Sequence, residues 1–186
     1  MALPPEGNTV YTIGHSSRIT EEFLDLLLEN KIQTVVDVRR FPGSRRYPHF
    51  GSEQLERFLN NVGVEYRHVD ALGGRRAARP GSPNDAWRNP QFRGYADHMD
   101  TDEFRAALAD LVQSAAVRRP AIMCAEALPW QCHRQLIADA LVARGVRVLH
   151  IIQAGKQNEH ELSPHARTLE DGRIVYPAGG AQLDLL

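Results

Sequence analysis

Apolar positions along this chain alternate between short continuous runs and stretches with helical spacing. Thr9-Val-Tyr-Thr-Ile13 is β-branched and aromatic and predicts a first strand. After Gly14-His15-Ser16-Ser17-Arg18, Thr20 reads as a helix N-cap followed by Glu21 and Glu22, with Phe23, Leu24, Leu27 and Leu28 at helical spacing. Ile32 to Val38 predicts a second buried strand. Ser52 reads as the cap of a helix carrying Leu55, Phe58 and Leu59 on one face, and Val64 to Val69 predicts a third strand. Asp102 to Val117 is a helix striped by Phe104, Leu108 and Leu111. Pro120 to Met123 predicts a fourth strand, Gln131 to Arg144 a helix stopped by Gly145, and Val146 to Ile151 a fifth strand.

Strands alternating with helices mean βαβ units and a mainly parallel sheet. The pattern therefore predicts one three-layer, Rossmann-like α/β domain over 1–186. Residues 1–8 are expected to be a flexible N-terminus, and 153–186 a tail packed on the domain with a short strand at Arg173 to Tyr176. Two stretches break the pattern. Arg39 to Phe50 is rich in turn residues. Residues 71–89 form a long Arg-, Gly- and Pro-rich insertion without a period, and a loop of that length inside a domain is usually functional.

Composition adds limits rather than a direction. With 42% hydrophobic and 24% charged residues, the chain fits a folded globular domain, not a disordered tail or a collagen-like rod. No apolar run reaches the ~20 residues of a membrane-spanning helix. The start has neither a basic region nor an apolar core, so no signal peptide is expected and the cytoplasm is the default compartment. Two cysteines are expected to stay reduced there. The net charge of −1 gives no global case for nucleic acid. Lys31 and Lys156 are the only lysines, so arginine, the better bidentate anion binder, dominates, though a GC-rich genome produces the same bias.

If the strands are parallel, their carboxyl ends share one edge, and a crevice there is where open α/β sheets bind ligands. His15 and Ser16, Asp37 and Arg39, Cys124 and Glu126, and His150 all fall at predicted strand ends. Asp37 and Glu126 are candidate acid and base, or loop-pinning carboxylates. His15 joins them in the catalytic set. Arg39, Arg45 and Arg134 are candidate phosphate binders, with Ser16, Gly73, Gly74, Cys132 and His133 as further substrate contacts. Cys124 is a nucleophile if His133 or Arg134 lies close, and otherwise a packing residue. Cys132 and His133 raise the question of a soft metal, but there is no CxxC pair, and no metal or cofactor is expected. Trp87, Phe92 and Tyr95 lie near Arg88 and Arg93, where they either stack on a base or cover the core.

These motifs occur in the order Thr12-Ile-Gly-His15-Ser16, Val36-Asp37-Val-Arg39 with Pro42 and Ser44-Arg45, Leu72-Gly-Gly74, Cys124-Ala-Glu126 with Cys132-His133-Arg134, and His150-Ile151. In that order the chain, from Tyr11 to about His165, resembles the family of domains of unknown function numbered 488. The resemblance implies a compact bacterial or archaeal α/β domain and supports these site residues. It leaves the reaction open.

The expected function is a hydrolase or transferase acting on a nucleotide or nucleic acid, N-glycosidic cleavage being one version. A small phosphorylated or nucleotide substrate is the expected partner, with nucleic acid a second candidate and no membrane. Two alternatives stand beside it. One is a thiol- or metal-dependent enzyme using Cys124, Cys132 and His133; the other is a non-catalytic anion- or nucleotide-binding module.

Overall fold

A computed structural model describes residues 8–43 and 45–179. Most of the expected flexible N-terminus, the end of the tail, and Ser44 of the Ser44-Arg45 motif lie outside the described residues. Five parallel strands and one antiparallel edge strand form a single sheet. They are β1 (Thr9–Gly14), β2 (Thr34–Asp37), β3 (Glu65–His68), β4 (Pro120–Cys124), β5 (Arg147–Gln153) and β6 (Lys156–Glu159), in the order β3-β2-β4-β1-β5-β6. The fold is a Rossmann-like three-layer α/β fold.

Strand residues alternate between two cores. Tyr11, Ile13, Val35, Ala121 and Met123 pack against α1 (Thr20–Glu29) and α2 (Ser52–Asn61). Val10, Val36, Ile122 and Val148 pack on the opposite side, against α4 (Asp102–Val117) and α5 (Arg134–Val142). The chain leaves β1 past β4 toward β2, and leaves β4 past β1 toward β5, in opposite directions. Right-handed crossovers then place α1 and α5 on opposite faces, and a crevice opens where their loops diverge.

Several elements differ from the sequence expectation. The helix read as Gln131–Arg144 divides into a 3-10 turn at Pro129–Gln131 and α5. The buried stripe of α1 is Phe23, Leu26 and Leu27, while Leu28 is exposed. A helix unread in the sequence, α3 (Pro90–His98), follows the long insertion, with the Asn89 side chain accepting from the Gln91 N–H. Asp97 on α3 pins that insertion by accepting from Arg79 N–H (2.9 Å), Ser82 Oγ (2.5 Å) and Asn84 Nδ2 (2.9 Å). Trp87 is buried, stacked on Phe92 and edge-on to Tyr176, and belongs to the core. A two-stranded sheet, β7 (Arg167–Thr168) with β8 (Ile174–Val175), closes the tail. Among the described residues no helix is long and apolar enough to cross a membrane.

Candidate functional site

The carboxyl ends of β1 and β4 are in register, Gly14 opposite Cys124. The chain leaving β4 crosses directly over Gly14, where a Cβ would stand 1.8 Å from the Glu126 carbonyl oxygen. Only glycine admits that approach. His15 N–H donates to Cys124 O (3.0 Å) and Ser16 N–H to Ala125 O (2.8 Å), extending the pairing beyond the strands. Cys124 thereby sits at the floor of a cleft of about 380 Å³. Arg39, Arg40 and Arg75 rim this cleft, Phe41, Phe92 and Tyr95 give it aromatic walls, and Gly74, Glu126, Cys132 and His133 also line it.

Below the floor lies Arg134, fully buried in the first turn of α5. Its Nε donates to Cys132 Sγ (3.2 Å), Nη1 to Thr12 Oγ1 (3.3 Å), and Nη2 to the carbonyls of Glu126 and Ala127. Among the described residues no carboxylate pairs with it. A guanidinium stays charged in proteins, so this burial calls for an anion. Cys124 supplies one. A hydrogen bond from the Cys132 thiol, the charge of Arg134 and the backbone N–H groups of Glu126 and Ala125 outweigh desolvation and hold Cys124 at about 7, below its ordinary 9.0. Cys132 moves the opposite way, raised by burial and by its bond to Cys124. Cys124 is thus the more readily ionised sulfur of the pair, with Cys132 as its thiol donor.

His133 donates Nε2–H to the Val38 carbonyl (2.7 Å), and burial lowers its pKa. Its neutral Nδ1 faces Gly74, where a Cβ would come within 2.8 Å. Cys124 Sγ, Cys132 Sγ and a His133 ring nitrogen lie within 4.8 Å of one another, a donor set suited to a thiophilic metal with one position open to the cleft. The Arg134 Nε–H on Cys132 Sγ places a fixed positive charge against that set.

Asp37 plays a different part from the one its position suggested. It points to the α1/α2 side and does not line the cleft. Its carboxylate accepts from Arg39 N–H (3.0 Å), Arg39 Nε (2.9 Å), Arg39 Nη2 (2.6 Å) and Tyr66 Oη (2.8 Å). Burial alone would lower the pKa of Arg39, but the bonds and charge of Asp37 raise it on balance. Asp37 thus fixes Arg39, a residue of the cleft lining, with its guanidinium turned to Asp37 and to the Phe50 carbonyl (Nη1, 2.9 Å), and the carboxylate pair that glycosidic cleavage needs is not assembled in the cleft. Glu126 is exposed at the rim.

His15 is buried and stacked on Phe50 (4.4 Å). Burial lowers it to about 4. With Nδ1–H on Ser16 O (2.9 Å), its Nε2 accepts from Arg39 Nη1 (3.4 Å), so it too steadies Arg39. Ser16 adopts a left-handed conformation (φ 49°) in the turn beneath. Gly73 packs against Asp70 O and the Arg40 backbone. Arg45 is exposed and is not part of the cleft lining.

A buried chain of hydrogen bonds leads away from Arg134, most of it without a local sequence signal. Thr12 Oγ1 bonds His150 Nδ1 (2.7 Å), His150 Nε2 bonds His160 Nδ1 (2.9 Å), and His160 Nε2 bonds Asp139 Oδ1 (2.8 Å). Asp139 also accepts from Ser163 N–H and Tyr176 Oη. Burial, then the charges of His160 and Arg134, lower His150 to about 3. Hydrogen bonds running from Arg134 through Thr12, His150 and His160 to Asp139 give every member a partner. His150 was visible as a strand-end histidine. Thr12 opens the first motif and lies in a predicted strand, Tyr176 ends a predicted short strand, and Asp139 and His160 carry no local signal.

A family model described as "Domain of unknown function DUF488" matches residues 20–141. No curated protein and no solved structure matches the chain.

Proposed function

The chain belongs to the DUF488 family, and from the geometry of its cleft we propose that it is a thiol-dependent hydrolase or transferase acting on a small anionic substrate, phosphorylated or nucleotide-like. The observation that carries this reading is the pair of buried thiols, Cys124 and Cys132, on the lining of an arginine-rimmed cleft, with Arg134, a guanidinium without a carboxylate partner among the described residues, donating to Cys132 Sγ (3.2 Å) and drawing the Cys124 thiol down. Arg39, Arg40 and Arg75 would seat the anion. Phe41 and Phe92 offer faces to a planar ring. Cys124 would attack the electrophilic centre. Glu126 or the neutral Nδ1 of His133 would take the proton of the acceptor that releases the covalent intermediate.

Alkylation tests this without knowledge of the substrate. The inactivation rate should rise through an inflection near pH 7. Iodoacetate should gain on iodoacetamide relative to the same ratio for free cysteine, and Cys124→Ser should abolish the fast phase. An inflection in the ordinary thiol range, with no gain for the anionic reagent, refutes the reading. The three donors within 4.8 Å favour a second reading, a zinc enzyme on Cys124, Cys132 and His133. Stoichiometric metal in protein purified without chelator, together with thiols that resist alkylation until chelator is added, would select it over the first.

A further inference from the structure

Hydrolysis or group transfer at a cysteine needs one thiol. This cleft holds two, and the second has no obvious part in such a reaction. Both sulfurs line the same cavity and lie within 4.8 Å of each other. Cys132 stands in an extended stretch (φ −148°, ψ 174°) between the 3-10 turn and α5. Its N–H donates to Pro129 O (3.2 Å) and its carbonyl accepts from Gln135 N–H (3.2 Å), so rotation of the side chain alone toward Cys124 leaves these backbone bonds in place. Arg134 donates its Nε–H to Cys132 Sγ (3.2 Å), which sets a fixed positive charge beside the two sulfurs.

Resting on the thiolate reading of Cys124, we propose that Cys132 is a resolving thiol and that the cleft also reduces disulfides of small anionic thiols. In the first step the Cys124 thiolate attacks one sulfur of RS–SR. A Cys124–SR bond forms, the S–S bond breaks, and RS⁻ departs past the arginine rim to take a proton from water. In the second step Cys132 gives its proton to Nδ1 of His133 and attacks Cys124 Sγ. The Cys124–Cys132 bond forms, and the second RS⁻ leaves and is protonated. The second RS⁻ takes up the proton held by His133; counted from the protonated pair, whose Cys124 proton has already gone to water on ionisation, the two cysteines lose two electrons and two protons, and RS–SR becomes two RSH. An external dithiol returns the enzyme to its reduced form by the same exchange in reverse. Arg39, Arg40 and Arg75 favour a disulfide that carries carboxylates.

The test uses the reduced full-length chain and oxidised glutathione, whose arms carry carboxylates. Thiol release is counted and the intact mass is read. Wild type should release two glutathiones per chain and lose the mass of two hydrogens, with no adduct. Cys132→Ser should release one and keep a glutathione adduct, and Cys124→Ser should do neither on the same timescale. Cystamine, a cationic disulfide, should react more slowly, on the order of tenfold. A wild-type protein that keeps the adduct, with Cys132 still open to alkylation, overturns the resolving role while leaving the Cys124 reading intact. Failure of Cys124 to react with glutathione or iodoacetate removes both. The wild-type arm decides the matter even where a serine variant does not fold.

Discussion

Replacing Cys124 with serine removes the anion facing Arg134, and with it a pH-dependent part of the stability. In the fold this thiol ionises at about 7 instead of 9.0, drawn down by the Cys132 hydrogen bond, Arg134 and two backbone N–H groups. The full displacement corresponds to about 2.7 kcal/mol. Because the folded value is the lower one, the stabilisation is complete only above the unfolded value and is lost as pH falls through about 7. Between pH 6 and pH 8, linkage gives wild type a gain of about 1.3 kcal/mol that Cys124→Ser lacks. Cys132, raised in the fold, acts in the opposite sense, but only above its unfolded value, so it contributes little in this window. Urea unfolding of both proteins under reducing conditions at pH 6, 7 and 8 makes the measurement. Subtracting one from the other cancels every titration the two share. A stability difference that stays constant across the three pH values refutes a thiolate at Cys124, whatever its size.

His150 is lowered to about 3 by burial and its charged neighbours, so unfolded chains take up its proton first as pH falls below 6.5, and folded stability is lost there. His150→Asn should remove about 2 kcal/mol of the difference between pH 7.5 and pH 5, read by denaturant titration. Gly14→Ala places a Cβ against the Glu126 carbonyl. It should cost ~1–3 kcal/mol or more, and it should move the alkylation inflection of Cys124 upward as the loop after β4 shifts. Asp139→Asn weakens the acceptor shared by His160, Ser163 and Tyr176. It should cost ~1.5–3 kcal/mol in urea and raise the Cys124 inflection through loss of support for Arg134, whereas an unchanged inflection would mean that the chain does not reach the thiol. Asp37→Asn should weaken the preference for iodoacetate while leaving the Cys124 inflection near 7, since Asp37 acts on Arg39 and not on the sulfur.

The strands were legible because burial leaves a local signature. All six residues of β1 are buried, and a short apolar run reports that directly. Edge strand β6 reads Lys-Gln-Asn-Glu, exposed throughout, and its pairing to β5 depends on backbone bonds that no side-chain pattern announces. In α3 the helical stripe is short and sits behind Pro90, so it blended into the insertion that Asp97 on the same helix holds in place. At the site, position along the strand was readable and direction was not. Asp37 and Cys124 both end strands, yet they point to opposite faces. Tyr66, which helps to engage Asp37, comes from β3 across the sheet. Residue type named Arg134 as an anion binder, but only packing reveals that it lies beneath the cleft instead of on its wall.

Charge accounting gives the site its sharpest constraint. Two guanidinium groups and three carboxylates are buried among the described residues: Arg39, Arg134, Asp37, Asp97 and Asp139, of which Asp97 faces Arg79 at the insertion. Arg39 and Asp37 close on each other. Arg134 and Asp139 do not; Thr12, His150 and His160 separate them, and Asp139 is bonded by His160, Ser163 and Tyr176 instead. The carbonyls of Glu126 and Ala127 satisfy the donors of Arg134 but leave its charge in place. An uncompensated charge of this kind costs several kcal/mol, and an apolar side chain of similar volume would serve packing better. A purely structural account of the cluster therefore leaves Arg134 unexplained. Ionisation of Cys124, whose thiol is drawn down to about 7, would neutralise it, and the same ionisation would leave a reactive sulfur on the lining of the arginine-rimmed cleft.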